Sequence, residues 1–127
     1  MTEDAGKLVL RLALGVLILL HGLAKISSGV TGIAGMLQGA GLPAVLAYGA
    51  YVGEVIAPLL VIIGFYSRIG AWLIAINMLF AIWLAHSAEI FLLTRTGGWA
   101  LELQGMFLFT AVALALIGPG RYAVNRG

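Results

Sequence analysis

The sequence predicts an all-α integral membrane protein. It reads as one domain over residues 1–127, an antiparallel four-transmembrane-helix bundle with a short interfacial helix between helices 1 and 2. Three observations carry that fold class. Of the 127 residues, 62% are hydrophobic and only 9% charged, where a soluble domain has about 25% charged. Mean hydropathy is +1.10, and a chain this short keeps too much surface to hide its apolar side chains in a core. Four apolar segments come close to the roughly 20 residues that cross a hydrocarbon core. Lipid offers no partner for backbone N–H and C=O groups, so each such segment must be a helix.

The spans are expected at Leu8–Ile26, Ala44–Tyr66, Ile69–Ile90 and Trp99–Ile117. The first begins within "MTEDAGKLVLRLALGVLILL", which has the apolar run of a signal peptide. Arg11 interrupts that run and no small-residue cleavage site follows, so the segment reads as a retained membrane helix. "ISSGVTGIAGMLQGAGLP" separates the first two spans with Gly and Ser breakers. Its centre, "GIAGMLQGAG", is the expected interfacial helix, weakened by its glycines. "YSRIG" turns the chain between spans two and three, and "LTRTGGW" between three and four. "GAYVG", Gly49 to Gly53, is a small-xxx-small pattern suited to close helix approach, and Gly15 and Gly22 share a face of the first helix. These glycines suit packing within one bundle or a homodimer seam.

The cations sort by side. Lys7, Arg11, Arg68, Arg121 and Arg126 fall at the N-terminus, the second turn and the C-terminus, leaving Lys25 and Arg95 at the other side. The positive-inside bias places both termini in the cytoplasm of a multi-pass protein in a bacterial-type cell membrane. The net charge of +2, with no basic run, argues against nucleic acid as a partner. There is no cysteine, which excludes disulfides, thiol relays, Fe–S clusters and thiolate-bound metals.

Nine polar residues fall inside or beside the spans: Arg11, His21, Lys25, Glu54, Asn77, His86, Glu89, Glu102 and Gln104. A charge at the bilayer centre costs about 2.5–3.5 kcal/mol on insertion scales, so such groups are paired, snorkelled or functional. Arg11 is near the cytoplasmic end of its helix and is expected to snorkel to the headgroups. His21 and Lys25 are four apart on one helical face. Glu54 is about ten residues into its span, roughly 15 Å deep at 1.5 Å per residue, and Pro58 loosens the helix one turn later. His86 and Glu89 share a face at the outer end of the third span, and Trp99 and Glu102 open the fourth. His21, Lys25, Glu54, His86 and Glu102 are thus the candidate ligand-binding set in the outer half, with Glu89 and Trp99 as secondary candidates. Two readings fit: a polar network that fixes helix register, or a polar pocket open to the outer leaflet. Asn77 and Gln104 face away and read as interhelical hydrogen-bond donors.

These residues, in this order, resemble the DoxX family of small four-helix membrane proteins. The pattern runs through "LRLALGVLILLHGLAKI", "GLP", "GEVIAPLLVIIGFYSRIGA" and "ELQGMFLFTAVALALIGPGRYAVNR". It makes Arg11, His21, Lys25, Glu54, Glu102 and Arg121 family-typical polar positions. The resemblance implies a link to quinone-dependent systems, since some relatives are subunits of a thiosulfate:quinone oxidoreductase. Without cysteine or a soluble sulfur-handling domain, self-contained thiosulfate oxidation does not fit this chain.

The leading functional expectation is a membrane subunit or small oxidoreductase component that binds a quinone-like molecule. A quinone needs an apolar slot for its tail, donors for its carbonyls, and protonatable groups, for which histidine is suited. A non-enzymatic assembly or interaction subunit is the alternative, and a small-solute or proton-coupled transporter the third. A bis-histidine haem at His21 and His86, or a divalent cation at His86, Glu89 and Glu102, would use the same residues. Only Gly22 gives the small surroundings a porphyrin needs, and no metal is assigned. Expected partners are the lipid bilayer, redox partner proteins and a second copy of the chain.

Overall fold

The computed structural model describes residues 2–29, 31–43, 45, 48–86, 91–94 and 97–125. Those residues are helical apart from turns, short loops and one antiparallel bridge between Leu93 and Trp99. The elements are α1 (Thr2–Ser28), α2 (Thr31–Gly39), α3 (Gly49–Tyr51), a π-helical turn (Val52–Ile56), α4 (Ala57–Ile63), α5 (Ser67–His86) and α6 (Glu102–Ile117).

Local chemistry explains most boundaries. α1 starts before the expected Leu8 because Glu3 and Asp4 occupy its first turn, where carboxylates favour the positive end of the helix dipole. α2 falls on the expected interfacial segment, with Leu37 fully buried and the helix lying against α5. In the second apolar segment, where Ala44 lies outside the described residues and Val45 and Tyr48 have 3₁₀ geometry, the α-helix begins at Gly49. It ends at Gly64, which adopts φ 73°. There the N–H groups of Gly64 and Phe65 both donate to the Leu60 carbonyl, at 2.9 and 3.0 Å. That left-handed stop is open to glycine without steric cost. α6 begins at Glu102, so Trp99 sits in the preceding turn rather than in the helix.

The π-helical turn has a specific cause. Ala57 donates its N–H five residues back, to Val52. Pro58 has no N–H for the Glu54 carbonyl four residues earlier, and its ring crowds that oxygen. Widening the helix by one residue relieves the clash.

α5 packs along both α4 and α6, and α1 closes the ring against α4 and α6. Neighbours in the ring run antiparallel. The common core is Leu14 and Ile18 of α1, Ala57 and Val61 of α4, Ala71, Ile74, Ala75 and Met78 of α5, and Phe107, Ala111, Leu114 and Ala115 of α6. Small residues thus fill much of the interior. Large ones, among them Leu17, Leu20, Ile69, Trp72, Ile76, Trp83 and Phe109, are exposed. Water would favour the opposite distribution. Lipid tails are as apolar as leucine, so helices there associate through close packing of small residues and through polar contacts. Two helices, Thr2–Ala24 within α1 and Ser67–Leu84 within α5, are long and apolar enough to cross a membrane.

Arg11 corrects the expectation of a snorkelling anchor. It is 1% exposed, and its guanidinium donates to four backbone carbonyls. Nε donates to Val61 at 2.9 Å, Nη2 to Ile62 at 3.0 Å, and Nη1 to Pro119 at 3.1 Å and Tyr122 at 2.7 Å. Val61 and Ile62 are in the last turn of α4, whose carbonyls have no intrahelical donor. The Arg11 side chain is enclosed because the tail after α6 folds against it. Val124 and Asn125 donate backbone N–H groups to Ile63 and Gly64, at 3.3 and 3.2 Å. The Asn125 Oδ1 accepts from the Tyr66 N–H at 2.9 Å.

Arg11→Met should lower unfolding free energy by about 3 kcal/mol or more, since it strands several carbonyls away from water. Arg11→Lys should recover only part, because an ammonium cannot reproduce the guanidinium fork. Thermal melting in mild detergent measures both. Equal stability of Arg11→Met and the unaltered protein would contradict this role.

Candidate functional site around Glu54

Glu54 is the buried carboxylate among the described residues, 6% exposed within the π-helical turn. Two glycines bring neighbouring helices against that turn. Gly22 of α1 meets the Glu54 backbone, so that a Cβ on Gly22 would overlap the Glu54 carbonyl oxygen and touch Val55. Pro58, four residues on, has no N–H to donate to this carbonyl. The approach places the Gly22 Cα against it, in the manner of Cα–H···O contacts at helix crossings. On the other side Gly53 receives Asn77 of α5, and a Cβ on Gly53 would lie 2.5 Å from the Asn77 Cβ and Cγ. Asn77 therefore packs onto Gly53 across the crossing of α5 with the π-helical turn. Gly15 repeats the pattern a level lower, against Pro58 and Ile62. Gly15, Gly22 and Gly53 thus serve packing within one chain, whereas a Cβ on Gly49 would meet nothing within 4 Å.

His21 is next to Gly22, and so at the level of Glu54. Its ring is exposed and stands edge-on to Phe107 of α6, with centroids 5.8 Å apart and an interplanar angle of 79°. α1, the π-helical turn and α6 therefore meet at this level. Lys25 follows one turn later in α1 and His86 ends α5; the side chains of both lie outside the described residues, as does all of Glu89. Glu102 is the first residue of α6 and is exposed. Its carboxylate folds back on Gly98, with Oε2 2.7 Å from where a Cβ of Gly98 would stand. Trp99 is half-buried with its indole over Gly105, and pairs with Leu93 across the turn before α6. Phe107 was not singled out in the sequence, where nothing marks one apolar α6 residue above the others.

Residues 6–87 match the family model described as DoxX. That is more than half of the chain. The chain belongs to the DoxX family. The match takes in α1, the π-helical turn and α5, with Arg11, His21, Lys25, Glu54 and His86. It stops before Glu102 and Arg121. No curated protein and no solved structure matches the chain. With the family shown, and with two apolar helices of membrane-crossing length, this is a DoxX membrane protein.

Gly22→Ala should force α1 away from the π-helical turn and cost about 1–3 kcal/mol, the usual range for overpacking. Gly49→Ala should be neutral or stabilising by up to about 1 kcal/mol, since a helical glycine is replaced in open space. Melting temperatures in detergent compare the two. Equal losses would show that α1 does not pack on Glu54.

Proposed function

We propose that this DoxX-family chain crosses the membrane four times with both termini cytoplasmic and binds a quinone-like molecule beside Glu54. The observation that carries the reading is a carboxylate held 6% exposed inside a π-helical turn. Single π turns within α-helices concentrate at functional sites. A carboxylate far into an apolar helix is by default a functional group rather than an anchor. His21 precedes Gly22, the glycine at the Glu54 crossing, and an imidazole can donate and accept hydrogen bonds. Apolar Phe107 and Val55 line the same level. Lys25, His86 and Glu102 complete the proposed set from α1, α5 and α6, with Glu89 and Trp99 at its margin. Electrons would come from a redox partner protein.

The four-span reading draws on the large apolar side chains exposed on every long helix. α6, with 16 residues, is about 24 Å long. That is shorter than the roughly 30 Å core, a mismatch that tilt of the longer helices and local thinning accommodate. Cysteines placed at exposed Ser27 and Thr94 should react with an impermeant external reagent, and one at Val124 should not. The reverse pattern would invert the orientation.

For the ligand, the protein purified in mild detergent should carry a quinone, identified by extraction and mass spectrometry. Glu54→Gln should lower its retention on the order of tenfold, as loss of one charge-assisted hydrogen bond does, while melting falls little. His86→Ala combined with Glu54→Gln should be no worse than the worse single variant if they form one site. A protein free of quinone, with Glu54→Gln simply unfolding, would instead favour the structural alternative, a non-enzymatic assembly subunit.

A further inference from the structure

A second site lies at the opposite end of the molecule from His21. A cleft of about 310 Å³ opens between the start of α1, the start of α5 and the tail after α6, lined by Asp4, Arg68, Ile117, Pro119, Gly120 and Arg121. That volume is at the small end of ligand clefts, roughly 300–1,000 Å³. The proposed quinone site accounts for none of its residues.

Two arginines and one carboxylate line this cleft, and the carboxylate is already engaged. Asp4 Oδ1 accepts the backbone N–H of Arg121 at 3.2 Å, which leaves the Arg121 side chain exposed at the cleft. Arg68 is fixed at its base. Its Nη1 donates to the carbonyls of Ala115 and Leu116, at 3.5 and 3.3 Å, and its guanidinium packs on Gly118. Those long bonds satisfy carbonyls in the last turn of α6. Lys7 packs beside Gly120, a lining residue, its Cδ 3.3 Å from where a Cβ of Gly120 would stand. Ile117 adds an apolar side chain to the lining, and Leu116 and Ile69, next in sequence to Ile117 and Arg68, are exposed. Cationic side chains beside exposed apolar ones suit a molecule with an anionic head and an apolar tail.

We propose that this cleft binds a phosphate-bearing anion, and that its source is the headgroup of an anionic phospholipid whose acyl chains run along Ile69, Leu116 and Ile117. Guanidinium groups recognise phosphate through paired N–H donors. Under the four-span reading this end faces the cytoplasmic leaflet, where basic pockets between helices hold anionic headgroups.

The test titrates the full chain in mild detergent with short-chain phosphatidylglycerol, short-chain phosphatidylcholine and inorganic phosphate, reading melting temperature and lipid adducts by native mass spectrometry. Phosphatidylglycerol should stabilise and phosphatidylcholine should not. Arg121→Gln keeps the backbone N–H to Asp4 and should weaken phosphatidylglycerol binding on the order of tenfold. Asp4→Asn removes the opposing charge and should strengthen it. Inorganic phosphate reproducing the whole shift would overturn the lipid source. Equal binding of both lipids, or binding unchanged in Arg121→Gln, would overturn the site itself. The readout needs neither membrane orientation nor bound quinone, so its failure is separate from failure of the proposed function.

Discussion

Four backbone carbonyls converge on the guanidinium of Arg11, and the end of the molecule is organised by that convergence. Val61 and Ile62 belong to the last turn of α4, Pro119 and Tyr122 to the tail after α6. Without a donor these oxygens would face an apolar medium, where an unsatisfied carbonyl costs several kcal/mol. One planar group with five N–H donors meets all four. Arg68 does the same at smaller scale for the end of α6. Two helices that end on one side therefore have their carbonyl ends met by two arginines, which also oppose the negative end of each helix dipole. The short turn at Gly64 is pressed between Arg11 and Ala123, so the tail, the turn and α1 are mutually fixed.

That clamp leaves the far end freer to vary. There α1 and the π-helical turn meet through Gly22, without a side chain between them, and Pro58 withholds the donor that would hold the Glu54 carbonyl in a regular helix. A widened helix with a buried carboxylate would be a weakness in the bundle if its neighbours did not close around it. Gly22 and Gly53 allow that closure, because Gly22 meets the Glu54 backbone and Gly53 receives the Asn77 side chain. The arginine end supplies rigidity, and the Glu54 level supplies a local irregularity in a chemically capable place.

Composition and the length of the apolar runs made the helical class legible, since runs of about 20 apolar residues satisfy their own backbone groups in lipid as helices. The family was legible from the order of Arg11, His-Gly, Lys25 and Glu54, and the family match over residues 6–87 agrees. Glycine contacts were also legible, as Gly15, Gly22 and Gly53 show, although Gly49 has the same spacing and meets nothing. Depth along a helix misled for Arg11. Position near a helix end permits snorkelling, and no periodicity reveals that residues 118–125 fold back to supply acceptors. The π-helical turn was only partly foreseeable: Pro58 marks a loosened helix, but whether a helix kinks or widens depends on what packs against it. The last helix begins at Glu102 rather than Trp99, which shows the same limit, because apolarity alone does not say where an apolar run becomes helical.

The central claim is that Glu54 meets a redox-active ligand within the membrane. Redox-induced infrared difference spectroscopy on the quinone-loaded protein tests it directly. Reduction of the bound quinone should shift a carboxyl vibration, and that band should be missing in Glu54→Gln while the quinone bands remain. A difference spectrum without any carboxyl contribution, or one unchanged in Glu54→Gln, would contradict it and leave Glu54 as a purely structural group.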